Sequence, residues 1–174
     1  VSVTGQGNGT GSFNPGVHVS SAGQITAGGN GTLTVNGTGA TTTTGNGNYG
    51  VYVTGTDSQI TSSGGNVSVT GLGGGSGTSS DNVGIFIGTE GEITAGGTGT
   101  VTINGTGGTS SGNSNYGIVV LNSNSQIISN DGSVSLTGQG GGTGTSANNY
   151  GVYFDSGAQI AAGGSGTLTI QGTG

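Results

Sequence analysis

The chain has no lysine and no arginine in its 174 residues, against six acidic residues and a single histidine. Without cations nothing can neutralise phosphates and release their counterions, which excludes nucleic acid as a partner. A polybasic contact with anionic lipid fails for the same reason. Cysteine is absent too, which removes a disulfide framework, thiolate-ligated metal and a thiol nucleophile. No apolar run approaches the length of a membrane span or a signal-peptide core, so membrane insertion is not expected of these residues.

What is abundant is glycine, at 46 positions. Without a period such a composition would point to disorder, whereas a regular repeat restores foldability. The period is there. An Asn-x-Gly followed by an apolar, any, apolar triplet occurs as NPGVHV, NYGVYV, NVGIFI, NYGIVV and NYGVYF, with its glycine at Gly16, Gly50, Gly84, Gly117 and Gly151, spaced by 34, 34, 33 and 34 residues. A lone isoleucine follows at Ile25, Ile60, Ile93, Ile127 and Ile160. An alternating pair closes each repeat: Leu33/Val35, Val67/Val69, Val101/Ile103, Val134/Leu136 and Leu168/Ile170, with Val1/Val3 as a leading copy.

Each repeat therefore holds three short alternating segments parted by Gly, Ser, Asn and Thr, which reads as three strands and three turns. Constant register over equal repeats predicts an all-β fold, a parallel β-helix with three short strands per turn of about 34 residues and five to six turns. Right-handed crossovers are the strong default for parallel strands and set the expected hand. At about 4.8 Å per turn the coil would be about 25 Å tall. One turn buries too little to stand alone, so neighbouring turns must supply its ladder bonds and its core.

The repeat carries a finer rhythm. From the lone isoleucine to the following pair the gap is 8, 7, 8, 7 and 8 residues, so the full unit is two turns. Residues 1–174 read as a single solenoid segment. Because the chain opens inside a strand and closes just after one, with no charged or helical cap, we expect a slice of a longer array or a unit that stacks end to end.

Few residues are candidates for chemistry. Asn14, Asn48, Asn82, Asn115 and Asn149 should stack as a structural amide ladder at one corner. Gln24, Gln59, Gln126 and Gln159, with Glu92 in place of one glutamine, form a second ladder. Asp57 and Glu90 fall at equivalent sites on consecutive turns, a local carboxylate pair with Ala22, Asn124 and Gly157 on the other turns. His18 is the only imidazole and lacks a partner ligand. No residue is assigned a catalytic, metal-binding or cofactor-binding role, no cofactor is expected, and the chain is not expected to be an enzyme.

Two surface stripes remain. The outward middle residue of the opening triplet is His18, Tyr52, Phe86, Val119 and Tyr153 in turn. Its ring-bearing members, His18, Tyr52, Phe86 and Tyr153, form a candidate contact surface for sugar rings or a neighbouring filament. The other stripe pairs Thr32/Thr34, Thr100/Thr102 and Thr167/Thr169, resembling the flat Thr-x-Thr arrays of ice-binding β-helices. The intervening turns carry Asn66/Ser68 and Ser133/Ser135, so paired threonine recurs only every second turn.

The repeat NYGVYV…SQITSSGGNVSVTGLGGG resembles the Gly/Thr/Asn-rich arrays of very large bacterial surface proteins, the filamentous-haemagglutinin-like and autotransporter-adhesin-like β-helices. The resemblance covers the whole chain and rests on composition and rhythm. It implies an extracellular or cell-surface location and a structural or adhesive role as a stiff stalk or filament subunit. The implied partners are further copies, end to end or laterally, surface carbohydrate or another cell. Ice binding through the threonine ladders and a carbohydrate-binding or carbohydrate-active β-helix are the alternatives.

Overall fold

In the computed structural model, which describes Val1–Gly174, sixteen strands form three wholly parallel sheets and there is no helix. Sheet A stacks Ser2–Gln6, Leu33–Thr38, Val67–Leu72, Val101–Thr106, Val134–Gln139 and Leu168–Thr173 in that order. Sheet B stacks Val17–Ser20, Val51–Thr54, Ile85–Gly88, Ile118–Leu121 and Val152–Asp155. Sheet C stacks Gln24–Ala27, Gln59–Ser62, Glu92–Ala95, Gln126–Ser129 and Gln159–Ala162. The chain is thus a β-solenoid of about five turns with the expected three strands per turn.

Alternation decides which residues face in. In the strand LTVNGT, Leu33 and Val35 are buried, whereas Thr34 and Asn36 lie on the outer face. Repeated at constant register, this stacks like on like: Val51 pairs with Ile85, Ile85 with Ile118, and Ile60 with Ile93. The result is one continuous core of 21 buried residues enclosed by the three sheets. The register also extends beyond the strands. Of 99 backbone hydrogen bonds, 51 fall outside strand pairing, so the corners are laddered as well. Gly16 N–H donates to Tyr49 O at 2.9 Å, Gly50 to Val83 O at 3.0 Å and Gly84 to Tyr116 O at 3.0 Å.

The glycine of Asn-x-Gly suggests a flexible turn into the strand, but its backbone is not left-handed. Its role is close approach. A Cβ on Gly50 would meet Leu72 N at 2.4 Å and Gly84 O at 2.5 Å, and one on Gly71 would meet Gly84 O at 2.1 Å. Two facing columns of glycine therefore let the end of each sheet A strand press against the corner that opens sheet B.

The two-turn rhythm has a structural cause at the corner between sheets B and C. On one type of turn, Ser21/Ala22, Thr89/Glu90 and Ser156/Gly157 all have positive φ. The closing bonds Gly23 N–H to Ser20 O and Gly91 N–H to Gly88 O mark tight I′-type turns. On the other type the corner is one residue longer, with positive φ at Gly55 and Asp57 or at Asn122 and Asn124. The extra residue here offsets the shorter gap at the next corner, and the period stays near 34.

Candidate functional site

Each outer face can be followed from its ladder. On sheet A, Thr34, Ser68, Thr102, Ser135 and Thr169 share one register position. Thr32, Thr100 and Thr167 lie just before their strands, and the residues between them bond to the backbone: Thr100 N–H donates to Asn66 Oδ1 at 2.9 Å and Thr167 N–H to Ser133 Oγ at 3.0 Å. Paired threonines on this face are therefore two turns apart.

At the first corner the asparagines are joined directly. Asn14 Nδ2 donates to Asn48 Oδ1 at 3.1 Å, Asn48 Nδ2 to Asn82 Oδ1 at 2.8 Å, and Asn82 Nδ2 to Asn115 Oδ1 at 2.9 Å. Asn149 Oδ1 accepts from the Asn115 backbone at 3.0 Å. A serine column stitches the same corner, with Ser110 Oγ donating to Ser79 O at 2.6 Å and accepting from Asn82 Nδ2 at 3.0 Å. On sheet C, Gln24, Gln59, Glu92, Gln126 and Gln159 are in register, and Gln126 Nε2 donates to the Glu92 carboxylate. Asp57 and Glu90 occupy equivalent corners of the two different turn types, and the Glu90 carboxylate accepts from the hydroxyl of Thr56.

The aromatic surface is larger than the triplet stripe. His18, Tyr52, Phe86, Val119 and Tyr153 are in register on sheet B. Beside them runs a second column, the middle residue of Asn-x-Gly: Pro15, Tyr49, Val83, Tyr116 and Tyr150. Sequence reasoning missed this column because it read that motif only for its asparagine and glycine, although the same ruler marks the residue between them. Phe13, just before the first motif, also joins.

Every ring contact falls within one of two groups. In the first, Phe13 meets His18 at 5.3 Å and Tyr52 at 5.2 Å, Tyr49 meets Tyr52 at 4.7 Å, and Tyr52 stacks on Phe86 at 4.8 Å with an interplanar angle of 12°. In the second, Tyr116 lies 5.7 Å from both Tyr150 and Tyr153, and Tyr150 lies 5.9 Å from Tyr153. Between the groups is an open notch of about 180 Å³.

The notch arises where valine replaces an aromatic residue in both columns, one turn apart. Val83 has Tyr49 on the turn before and Tyr116 on the turn after; Val119 has Phe86 before and Tyr153 after. Val83 and Val119 are each 3 % exposed and form the floor, joined by Leu121. Asp81 is the one acidic residue in the lining. It is exposed, at φ 59° in the turn that leads into Asn82.

Burial governs the electrostatics of this wall. It pushes the Asp81 carboxyl above its usual range, and the chain has no lysine or arginine to oppose that. The Tyr49 hydroxyl is pushed up to about 12, mainly by burial and further by neighbouring Tyr52 and Asp81. Burial also raises Tyr52 and lowers His18. Tyr153 is raised chiefly by its hydrogen bond to Asp155 Oδ2, at 3.2 Å. The surface can thus offer flat apolar faces, phenol hydroxyls that keep their protons, and one uncompensated carboxylate. In comparisons with known proteins, no family model, no curated protein and no solved structure matches the chain.

Proposed function

We propose that the chain is a structural or adhesive segment of an extracellular, cell-surface protein, a stiff β-helical stalk or filament subunit that makes contact through its aromatic wall. The observation that carries this reading is the concentration of rings on one side. Eight ring-bearing residues, from Phe13 to Tyr153, line the sheet B face and its corner, whereas the outer columns of sheets A and C carry mainly Thr, Ser, Asn and Gln. A clustered aromatic surface suits contact better than solvation, because Tyr and Phe bring large apolar area at little cost in conformational freedom.

The laddered corners support the mechanical side of this reading. Backbone bonding that continues through every turn resists bending and unwinding of the coil. The resemblance of the repeat to haemagglutinin-like and autotransporter-adhesin-like arrays points the same way. The alternation of Thr with Ser and Asn on sheet A argues against ice binding, which needs an unbroken flat array. Electron microscopy of the native material tests the proposal. Stalks or fibres on the outer face of the cell are expected, and isolated compact particles inside the cell would contradict it.

A further inference from the structure

We propose that the notch between the two aromatic groups binds a quaternary ammonium group, such as a trimethylammonium head. This rests on the reading of the aromatic wall as a contact surface and names the chemistry its central gap would accept.

Spacing is the first argument. Tyr49 and Tyr116 straddle Val83, and Phe86 and Tyr153 straddle Val119, so each aromatic pair sits two strand spacings apart, about 9.5 Å between backbones. The midpoints of the two pairs fall at the levels of Val83 and Val119, one strand spacing apart, and all four rings line the notch between them, where a cation is attracted to ring faces within roughly 6 Å. The two straddling pairs are staggered by one turn, so four rings surround one volume instead of forming a flat platform.

Polarity is the second. The floor is Val83, Val119 and Leu121, and Asp81 is the one acidic group of the lining. Tyr49, Tyr116 and Tyr153 bring hydroxyls to the walls, but a sugar seated on the valine and leucine floor would set its own hydroxyls against apolar surface, at a cost for each unpaired group. A trimethylammonium group has no hydrogen-bonding hydrogens to satisfy, carries its charge on a methyl shell, and fits apolar walls.

Charge is the third. The chain carries a formal net charge of −6 and no lysine or arginine. The Asp81 carboxylate is partly desolvated without a cation to offset it, and the ring faces add the negative side of their quadrupoles. A bound cation would supply the missing countercharge.

The test is a titration of the protein with choline, followed by the methyl signals of Val83, Val119 and Leu121 and repeated with 3,3-dimethyl-1-butanol, its uncharged carbon isostere. Choline should give a saturable response, and the isostere should bind about tenfold more weakly or worse. Asp81→Asn should weaken choline several-fold while the protein stays folded, because asparagine tolerates the left-handed backbone at this position. Equal binding of the isostere, no saturable choline response, or tighter binding of methyl glycosides at these same signals would each overturn the proposal. If mutation of the aromatic wall abolishes surface contact while choline gives no response, the adhesive reading stands and only the cation assignment falls.

Discussion

Val119 pairs in register with Phe86 on the adjacent strand, yet Val119 is buried while the Phe86 ring stands out from the sheet and stacks on Tyr52. Together with Val83 in the neighbouring column, this valine divides the aromatic wall and opens its notch. Val119→Tyr should rebuild the column, bridge Phe86 to Tyr153 and fill the notch. Val119 lies on the outer face of the sheet beneath the open notch, which has room for the added ring, so stability should change by less than about 1 kcal/mol, while the choline response should be lost. Thermal unfolding and the choline titration check the two halves.

The buried part of the asparagine ladder should matter more than its exposed end. Asn82 bonds to Asn48, Ser79, Ser110 and Asn115. Asn82→Ala should cost about 2–4 kcal/mol, because it removes these bonds and weakens the pairing of buried neighbours. Asn14→Ala, at the partly exposed end, should cost about 1 kcal/mol. Denaturant unfolding of the two variants measures the difference.

Gly50→Ala tests the close approach of the two glycine columns. The added methyl meets backbone on both sides, and backbone cannot step aside as a side-chain end can. The variant should lose about 3 kcal/mol or more. Gly28→Ala, where an added Cβ meets nothing within 4 Å, should stay within about 1 kcal/mol of the parent. Chemical denaturation again gives the comparison.

Tyr49 should be a late tyrosine in an absorbance titration, ionising at about pH 12. Tyr49→Phe should remove that phase, and Asp81→Asn should bring it to lower pH by removing one of its causes. The consequence for stability follows from the direction of the shift. The folded state holds this proton more tightly than the unfolded chain, so the contribution of Tyr49 is fully present below the unfolded value near 10. It is lost as pH rises through about 12. Unfolding measured between these values should show a decline that is smaller in Tyr49→Phe.

The period, the strands and the core could be read from the sequence because stacking forces like onto like. Ile60, Ile93 and Ile127 repeat in the text for the same reason that they touch in the solenoid. The aromatic wall was only half legible. Tyr52 and Phe86 follow from alternation within a strand, but Tyr49 and Tyr116 lie on a corner, where period-2 alternation gives no direction and the Asn-x-Gly motif draws attention to its flanks. The notch was not legible at all. Val119 reads as a gap in an outward stripe, and Val83 as an apolar residue in a turn; only register shows that the two pairs of rings straddling them line one volume. The glycine of that motif has two local readings, a turn or a close approach, and the distance between Gly50 and the chain beside it decides for the second.

The central claim is that the aromatic wall makes the contacts, and replacing Tyr52, Phe86 and Tyr153 together by serine tests it most directly. All three side chains lie outside the core, so circular dichroism should show the fold retained. Lateral association, measured by sedimentation, and retention on the native cell surface should then weaken at least tenfold relative to the parent, the scale expected for loss of aromatic anchors at an interface. Unchanged association and retention in a folded triple variant would contradict the account.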